Sequence, residues 1–227
     1  MEIFKAKDFE KVADVSNVSG ELRITDLKQG VKNPNRVNVF VNNKYSFSLD
    51  IAQVVDFHLK KGLVISDEQL AEFRRASEFG KLYQRTLEWV LVRPRSEKET
   101  YDYLYKKIYE KKLDKEYISR IIDRLKEKKY LNDETFSRYY VENRFVKKGI
   151  SRKRLRMELM KKGVAASIID EVLDVRNDDE EILKIIAKKR ARYDDDKLTL
   201  YLCRQGFDYQ LVQDLVRTYE TDSQNLE

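Results

Sequence analysis

A short basic segment, KKGISRKRLRMELMKKG at 147–163, is the part of the sequence best suited to binding chemistry. It holds eight Lys or Arg and one acid, Glu158, whereas the whole chain of 227 residues has a formal net charge of only +6. The remaining residues are therefore nearly neutral as a group, and the basicity is local. A concentrated patch on a nearly neutral chain favours a polyanion or an acidic protein surface as its partner.

The basic segment predicts a helix with one solvated, positively charged face. At 100° per residue, Leu155 and Leu159 point together toward a core. The residues predicted to point away from that core or to flank it are Lys153, Arg154, Met157, Lys161, Arg152 and Arg156. Ser151 as the N-cap would leave backbone amides free at the helix start, where phosphate oxygens are readily bound. Because acids are scarce on this face, binding is favoured over ordinary solvated charge.

The candidate binding set extends to bases on both sides of this helix. Lys147 and Lys148 come directly before it, and a second basic group lies further along the chain. The residues predicted to bind DNA or a protein–DNA filament are Arg144, Lys147, Lys148, Arg152, Lys153, Arg154, Arg156, Lys161, Lys162, Arg190, Arg192 and Lys197.

Residues that could catalyse a reaction are few. The only histidine, His58, lies beside the apolar stripe of a helix predicted over 50–61, and the only cysteine, Cys203, has no histidine near it in the sequence, so structural or exposed roles are favoured. The acidic runs at 178–181 and 194–196 precede predicted helices, where carboxylates cap exposed amides. Neither a phosphate-binding loop nor a dinucleotide fingerprint is present. We expect a protein that is not an enzyme, with no catalytic residue, metal or cofactor.

Composition favours a mostly helical protein with a real core. Hydrophobic residues make up 41% of the chain, while Gly and Pro number only 7 and 2. A single cysteine forms no internal disulfide, the N-terminus lacks an apolar signal region, and no apolar run is long enough to span a membrane. These features predict a cytoplasmic protein, and we expect it to be a monomer. Tyr101 and Tyr105, like most of the 14 tyrosines, are predicted to pack inward on their helices.

The N-terminal region predicts a small β structure. Apolar and polar residues alternate over 37–49 on both sides of Asn42 and Asn43, which indicates a β-hairpin. Residues 21–29 predict a third strand, with a turn around Pro34 between them. A helix should follow from Ile51 to about Leu59, with Gly62 as its stop. Residues 1–20 give no clear pattern.

The rest of the chain predicts helices that repeat. Ser66 with Gln69, and Ser96 with Glu99, have capping-box spacing at two helix starts. At an offset of 43 residues the apolar positions of 155–173 fall on those of 198–216, and Gly163 falls on Gly206. A weaker copy lies at 101–125, with extra residues around 109–113. This repetition predicts three tandem three-helix repeats that form an elongated, mainly α body. The predicted segments are 1–65 for the β region and 66–131, 132–177 and 178–227 for the repeats.

Several motifs together resemble the RecX family of recombination regulators. They are RPRSEKETYDYLYKK, then IIDRLKEKKYLNDETFSRYYVENRF, then the basic segment. The resemblance covers roughly residues 65–220, and the hairpin region is similar to the N-terminal extension of members from Gram-positive-type bacteria. The family's fold of three tandem three-helix repeats agrees with the repeat found above. Its motif carries over to Arg144, Gly149, Arg152, Arg154, Leu155 and Glu158.

The resemblance implies a regulator of homologous recombination and DNA repair within the SOS response. Such a protein binds the RecA filament on DNA, mainly inhibits RecA, and has affinity of its own for single- and double-stranded DNA. Charge and periodicity alone leave two alternatives open. One is a free-standing nucleic-acid-binding protein or transcription regulator that acts through the basic helix. The other is a scaffold that takes an acidic protein and no nucleic acid.

Overall fold

A computed structural model of the protein describes residues 21–31 and 33–224, with side chains described except at 145–148 and from 220 onward. The chain divides into two compact units, Met1–Lys81 and Leu82–Glu227. The division falls inside one long helix. The finer segment boundaries expected from the sequence stay predictions.

The first unit contains a four-stranded antiparallel sheet. Its strands are β1 (Leu22–Gln29), β2 (Arg36–Val41), β3 (Lys44–Asp50) and β4 (Val64–Ile65), and their order across the sheet is β3-β2-β1-β4. The predicted hairpin and third strand are confirmed. Asn42 and Asn43 form the tight turn with positive φ values of 47° and 64°, which asparagine tolerates better than most residues.

Helix α1 (Ile51–Asp56) is shorter than the sequence predicts. It ends at Phe57 as C-cap, so the expectation of a helix that continues to Leu59 and stops at Gly62 is wrong. Leu59 instead packs into the core of the sheet with residues such as Ile24, Phe47 and Phe73. Burial of this one side chain therefore favours a loop that turns back toward the sheet over another helical turn.

From residue 67 onward the described chain is helical and falls into three successive triplets. The first is α2 (Asp67–Leu91), α3 (Glu97–Lys111) and α4 (Glu116–Glu127). The second is α5 (Asp133–Lys148), α6 (Arg152–Lys161) and α7 (Ala166–Asp174). The third is α8 (Asp178–Lys189), α9 (Asp195–Arg204) and α10 (Tyr209–Gln224). The predicted mainly helical fold behind a small β region is confirmed.

The 43-residue repetition corresponds to equivalent positions in the structure. Leu155 and Leu159 of α6 are fully buried, as are Leu198 and Leu202 of α9. The two glycines that follow these helices have left-handed backbones, with φ of 81° at 163 and 93° at 206. This conformation suits glycine because it has no Cβ. The second helix of each of these two triplets therefore begins, buries its leucines and ends in the same way.

Successive repeats meet where the second helix of one begins and the second helix of the next ends. We call the contact of α3 with α6 the first junction, and the contact of α6 with α9 the second junction. A Cβ added to Gly163 would lie 2.7 Å from the Cβ of Lys98, and one added to Gly206 would lie 2.7 Å from the Oγ of Ser151. Both glycines thus permit the same close approach at equivalent places.

Candidate nucleic-acid and filament interface

Local sequence determines how α6 is placed. The Ser151 side chain accepts a hydrogen bond of 3.2 Å from the amide of Arg154, so it is the predicted N-cap. Leu155 and Leu159 are fully buried among residues that include Phe136 and Ile169. The prediction that these leucines face the core is confirmed. The opposite side of α6 consequently faces solvent.

The first amides of α6 already have acceptors within the protein. The amide of Arg152 donates to both carboxylate oxygens of Asp178, at 2.9 and 3.2 Å. The amide of Ser151 donates to the carbonyl of Gln205 at 3.2 Å. The expectation that these two amides are free is therefore wrong, because a carboxylate and a carbonyl from the third repeat already accept from them. Burial raises the pKa of Asp178, although the Arg152 amide acts against this shift.

Several of the basic side chains around α6 are bound to other parts of the protein. The Arg154 guanidinium donates to the carbonyl of Arg204 at 2.7 Å, across the second junction. Lys162 lies 2.7 Å from the carboxylate of Glu99, across the first junction. Arg156 forms an ion pair with Asp170 of α7. Arg154 points away from the buried leucines, but its side chain is only 41% exposed because it spans to the end of α9.

The only acid in the basic segment holds α6 against α5. Glu158 accepts hydrogen bonds from Arg144 at 2.8 and 2.9 Å and from the Tyr140 hydroxyl at 2.8 Å. Burial alone would raise the pKa of Glu158, but the hydrogen bonds from Arg144 and Tyr140 prevail and lower it. Arg144 is thus committed to an internal ion pair. Sequence reasoning missed this role, for which the single acid among eight bases is the available signal.

Three cations of α6 remain without an ion pair among the described residues. Arg152, Lys153 and Lys161 are exposed, and no acid lies within pairing distance of their side chains. Met157 and Met160 are 50% and 56% exposed beside them. We call the surface formed by Lys153, Met157, Met160 and Lys161 the outer face of α6. It combines unpaired positive charge with flexible apolar side chains, which adapt to varied partner surfaces.

The other candidate bases differ in their surroundings. Lys147 and Lys148 belong to α5, but their side chains lie outside the described ones. In the third repeat Arg190 forms an ion pair with Asp195, and Lys197 lies 2.6 Å from Asp194. Arg192 is exposed in the turn after α8. The structure therefore leaves less unpaired charge in the third-repeat group than on α6.

The prediction that the acidic runs cap the helices that follow them is confirmed for 194–196 and wrong for 178–181, which lies in the first turn of α8 behind the N-cap Asn177. Asp194 accepts a hydrogen bond of 2.9 Å from the amide of Lys197 at the start of α9. Asp178 caps α6 instead of its own helix, which the sequence does not reveal. Among residues 21–31 and 33–224, no cluster of three potential ligands could hold a metal ion. Burial raises the pKa of the Cys203 thiol, so the reactive thiolate is disfavoured.

One set of predicted core residues lies on the surface. Tyr101 and Tyr105 of α3 are 47% and 48% exposed, so the expectation that they pack inward is wrong. Thr100, Leu104 and Ile108 occupy the inner side of this helix instead.

Within the described part of the chain, no helix has the length and apolar character needed to cross a lipid bilayer.

Comparison with known proteins places this arrangement in a family. The family model described as the regulatory protein RecX N-terminal domain matches residues 22–66, and that of the RecX second three-helix domain matches residues 132–173. The chain is 31% identical over 214 residues to the regulatory protein RecX of Oceanobacillus iheyensis, covering 88% of this chain and 76% of that protein. It is 32% identical over 199 residues to the regulatory protein RecX of Bacillus subtilis, covering 83% and 74%.

Solved structures agree in fold. A crystal structure of a regulatory protein RecX superposes with a TM-score of 0.65 at 22% identity, and the match covers 86% of this chain and 99% of that one. A crystal structure of RecX from Lactobacillus salivarius gives a TM-score of 0.53 at 21% identity, covering 64% of this chain and 99% of the other. At these identities the likeness concerns the fold.

Proposed function

The chain belongs to the RecX family of regulatory proteins, and we propose that it regulates recombination and DNA repair by binding the RecA filament on DNA. In this proposal it mainly inhibits RecA, and it has affinity of its own for single- and double-stranded DNA. Family membership is the observation that carries the proposal. The surface of the helical unit adds a specific place for the contact.

The outer face of α6, together with Arg152, is the surface that we propose for this contact. Its cations have no intramolecular ion pair to break before they meet a phosphate or an acidic side chain. By contrast, Arg144, Arg154, Arg156 and Lys162 already hold α6 to its neighbours. A paired cation gains less from a new anion because it must first lose its present one. We therefore place binding on the unpaired cations and structural support on the paired ones.

The mixed character of the outer face suits a filament better than bare DNA. Exposed lysines can contact phosphates without regard to base sequence. Exposed methionines add apolar contact area, which a protein partner can cover. A surface with both properties fits a partner in which protein and nucleic acid lie side by side.

The DNA-dependent ATPase activity of RecA tests the proposal with the full chain. We expect inhibition to persist when single-stranded DNA is present in excess over the added protein, because the target is the filament. If excess DNA abolishes inhibition, the protein acts only by sequestering DNA, and the proposal is wrong. This outcome would favour the free-standing nucleic-acid-binding alternative.

A charge-matched pair of variants locates the contact. Lys153→Ala with Lys161→Ala removes two cations from the outer face, and Lys60→Ala with Lys61→Ala removes two exposed cations from the N-terminal unit. We expect the first pair to weaken inhibition and the second to leave it unchanged. Any direct contact with single-stranded DNA through the two α6 lysines should lower the salt slope of log affinity by about 1.4. Equal effects of the two pairs would mean that only net charge matters.

A further inference from the structure

Helix α3 carries a row of exposed tyrosines that does not belong to the outer face of α6. Tyr101, Tyr105 and Tyr109 are spaced four residues apart and are 47%, 48% and 79% exposed. The rings of Tyr101 and Tyr105 are nearly parallel, with an angle of 16° between their planes and 6.3 Å between their centroids. Single exposed aromatic residues are common on proteins, but three in register on one helix form a continuous apolar strip.

These tyrosines are not needed to fill the core of the first repeat. Leu104 and Ile108 are 0% and 3% exposed on the inner side of α3. Thr100 is also fully buried, and its hydroxyl donates to the carbonyl of Ser96 at 3.0 Å. Because the inner stripe is complete without them, the folding of α3 does not explain the tyrosines.

The carboxyl end of α3 extends beyond its counterparts in the other repeats. Helix α3 has 15 residues, whereas α6 and α9 have 10 each. The helix is followed by Lys112, a C-cap in a left-handed conformation with φ of 53°, whereas the left-handed residue after the helix is glycine in the other two repeats. The additional turn carries Tyr109 and Lys112, so the lengthened helix continues the aromatic row and adds charge to it.

Positive charge surrounds the last two tyrosines. Residues 105–112 contain four lysines and one acid, and that acid, Glu110, lies 3.0 Å from Lys107. Lys106, Lys111 and Lys112 are exposed and have no ion-pair partner in the described part of the chain. On the helix, Lys106 flanks the tyrosine row, and Lys112 follows directly after the last turn as the C-cap. We call the surface formed by Tyr105, Tyr109, Lys106 and Lys112 the α3 strip.

We propose that the α3 strip binds single-stranded DNA, with bases stacked on Tyr105 and Tyr109 and phosphates held by the lysines. Unpaired bases stack on aromatic rings, and cations along the same groove or face follow the backbone. A duplex hides its base faces, whereas the bases of a single strand are free to stack on exposed rings. The choice of DNA as the polymer rests on the proposed function, whereas the stacking argument rests on α3 alone.

The test uses the full chain and a fluorescein-labelled oligothymidylate, with binding followed by fluorescence anisotropy. Tyr105→Leu with Tyr109→Leu should weaken binding roughly 30-fold, because leucine keeps apolar area but has no ring face on which a base can stack. Tyr105→Phe with Tyr109→Phe should keep the affinity within about 3-fold, since the rings remain. The salt slope should not change in either variant, because no cation is removed.

Two further variants serve as controls. Tyr209→Leu removes a tyrosine that is 56% exposed on α10, outside any lysine cluster, and should leave binding unchanged. Lys106→Ala with Lys112→Ala should lower the salt slope by about 1.4 if both lysines contact phosphates. The melting temperatures of all variants should match the wild type, because every substituted side chain is on the surface.

The outcomes separate this inference from the proposed function. Unchanged oligothymidylate affinity in the leucine variant, or an equal loss in the phenylalanine variant, would overturn stacking at the α3 strip. An equal loss for a duplex of the same length, or tighter binding of a matching RNA, would overturn single-stranded DNA as the occupant. Loss of RecA inhibition with unchanged oligonucleotide affinity would assign the strip to a protein partner and overturn the inference. If RecA is never inhibited while the predicted pattern of oligonucleotide binding holds, only the proposed function fails.

Discussion

The two junctions between successive repeats use equivalent positions with different charge chemistry. At the first junction the third residue of α3 is Glu99, whose carboxylate binds Lys162 at the end of α6 and Arg93 before α3. At the second junction the third residue of α6 is Arg154, whose guanidinium binds the carbonyl of Arg204 at the end of α9. One junction is closed by an ion pair, and the other by a cation at the negative end of a helix dipole.

A second feature is common to both junctions. The amide of Glu97 donates to Asp133 at 2.8 Å, and the amide of Arg152 donates to Asp178 at 2.9 Å. In each case the first residue of the second helix is bound by the first aspartate of the next repeat. Backbone caps are therefore shared while side-chain charges vary. Two of the five basic residues of α6, Arg154 and Arg156, together with Lys162 directly after the helix, therefore serve the fold.

Removal of a core leucine should lower the free energy of unfolding more than any other change proposed here. The loss should be the same at equivalent positions of the two repeats. Leu159→Ala and Leu202→Ala each delete a fully buried side chain from the second helix of a repeat. We expect the free energy of unfolding to fall by about 2 to 5 kcal/mol in each variant. Urea denaturation followed by the fluorescence of the single tryptophan, Trp89, measures both. A difference above about 2 kcal/mol would break the equivalence of the repeats.

Substitution of the junction glycines should cause the second-largest loss in free energy of unfolding. Gly163→Ala and Gly206→Ala impose a left-handed backbone on alanine and also push its Cβ into a neighbour at 2.7 Å. Each should lower the free energy of unfolding by about 2 to 3 kcal/mol. Gly62→Ala is the matched control, because its φ is 86° but nothing lies within 4 Å of the added Cβ. The control should lose only about 1 kcal/mol. Equal losses at all three sites would mean that close approach at the junctions has no energetic role.

Exchange of the charged residue should distinguish the junctions. Glu99→Gln leaves Lys162 and Arg93 without their carboxylate, and the Glu99 side chain is only 15% exposed. We expect a loss of about 1 to 3 kcal/mol in unfolding free energy. Arg154→Met removes the bond to Arg204 and a 3.5 Å ion pair with Glu158 from a side chain that is 41% exposed, and it should lose about 1 kcal/mol or less. The reverse order would contradict the assignment of the ion pair to the first junction.

The contribution of the first junction to stability should also depend on pH. Burial alone would raise the pKa of Glu99, but the hydrogen bonds from Lys162 and Arg93 prevail and lower it. A carboxyl group with a lowered pKa in the folded state stabilises above its unfolded pKa and loses this effect as pH falls through the folded value. The difference between wild type and Glu99→Gln in urea midpoint should therefore shrink below about pH 4. The Arg154→Met difference should change less, since arginine does not titrate there and Arg154 is the smallest of the causes that lower the pKa of Glu158.

Asp133 and Asp178 change the stability with pH in the direction opposite to Glu99. Burial raises the pKa of both, so their contribution to stability is present at low pH and is lost as pH rises through the folded pKa. One such aspartate lies at each junction and is present in both variants. The aspartates therefore do not account for a difference in pH dependence between Glu99→Gln and Arg154→Met. A pH response that is equal in the two variants would contradict this account.

The sequence predicts the repeat well because apolar spacing and glycine are local signals. Leu155, Leu159 and Gly163 are recognisable at their own positions and recur 43 residues later. Side-chain contacts across the junctions are different, since the junction partners of Lys162 and Arg154 lie 63 and 50 residues away. No pattern within one helix reveals which of its cations will meet such partners. Sequence reasoning therefore found the basic helix but not the division of labour within it.

The tyrosines of α3 show a second limit. Tyr101 and Tyr105 form one stripe, Leu104 and Ile108 form the neighbouring one, and both stripes have helical spacing. Only packing against the other helices decides which stripe is buried. The extra turn at 109–112 was visible as a departure from the repeat, although its exposed, lysine-flanked surface was not.

The most direct test of the division within α6 compares two double variants that lose the same charge. Arg154→Ala with Lys162→Ala removes the two cations that bind across the junctions, and Lys153→Ala with Lys161→Ala removes two that have no ion pair. The measurement is the urea midpoint of each at neutral pH and equal ionic strength. The account predicts a clearly lower midpoint for the first variant and a change of no more than about 0.5 kcal/mol in unfolding free energy for the second. Equal midpoints, or a larger loss in the second variant, would contradict it.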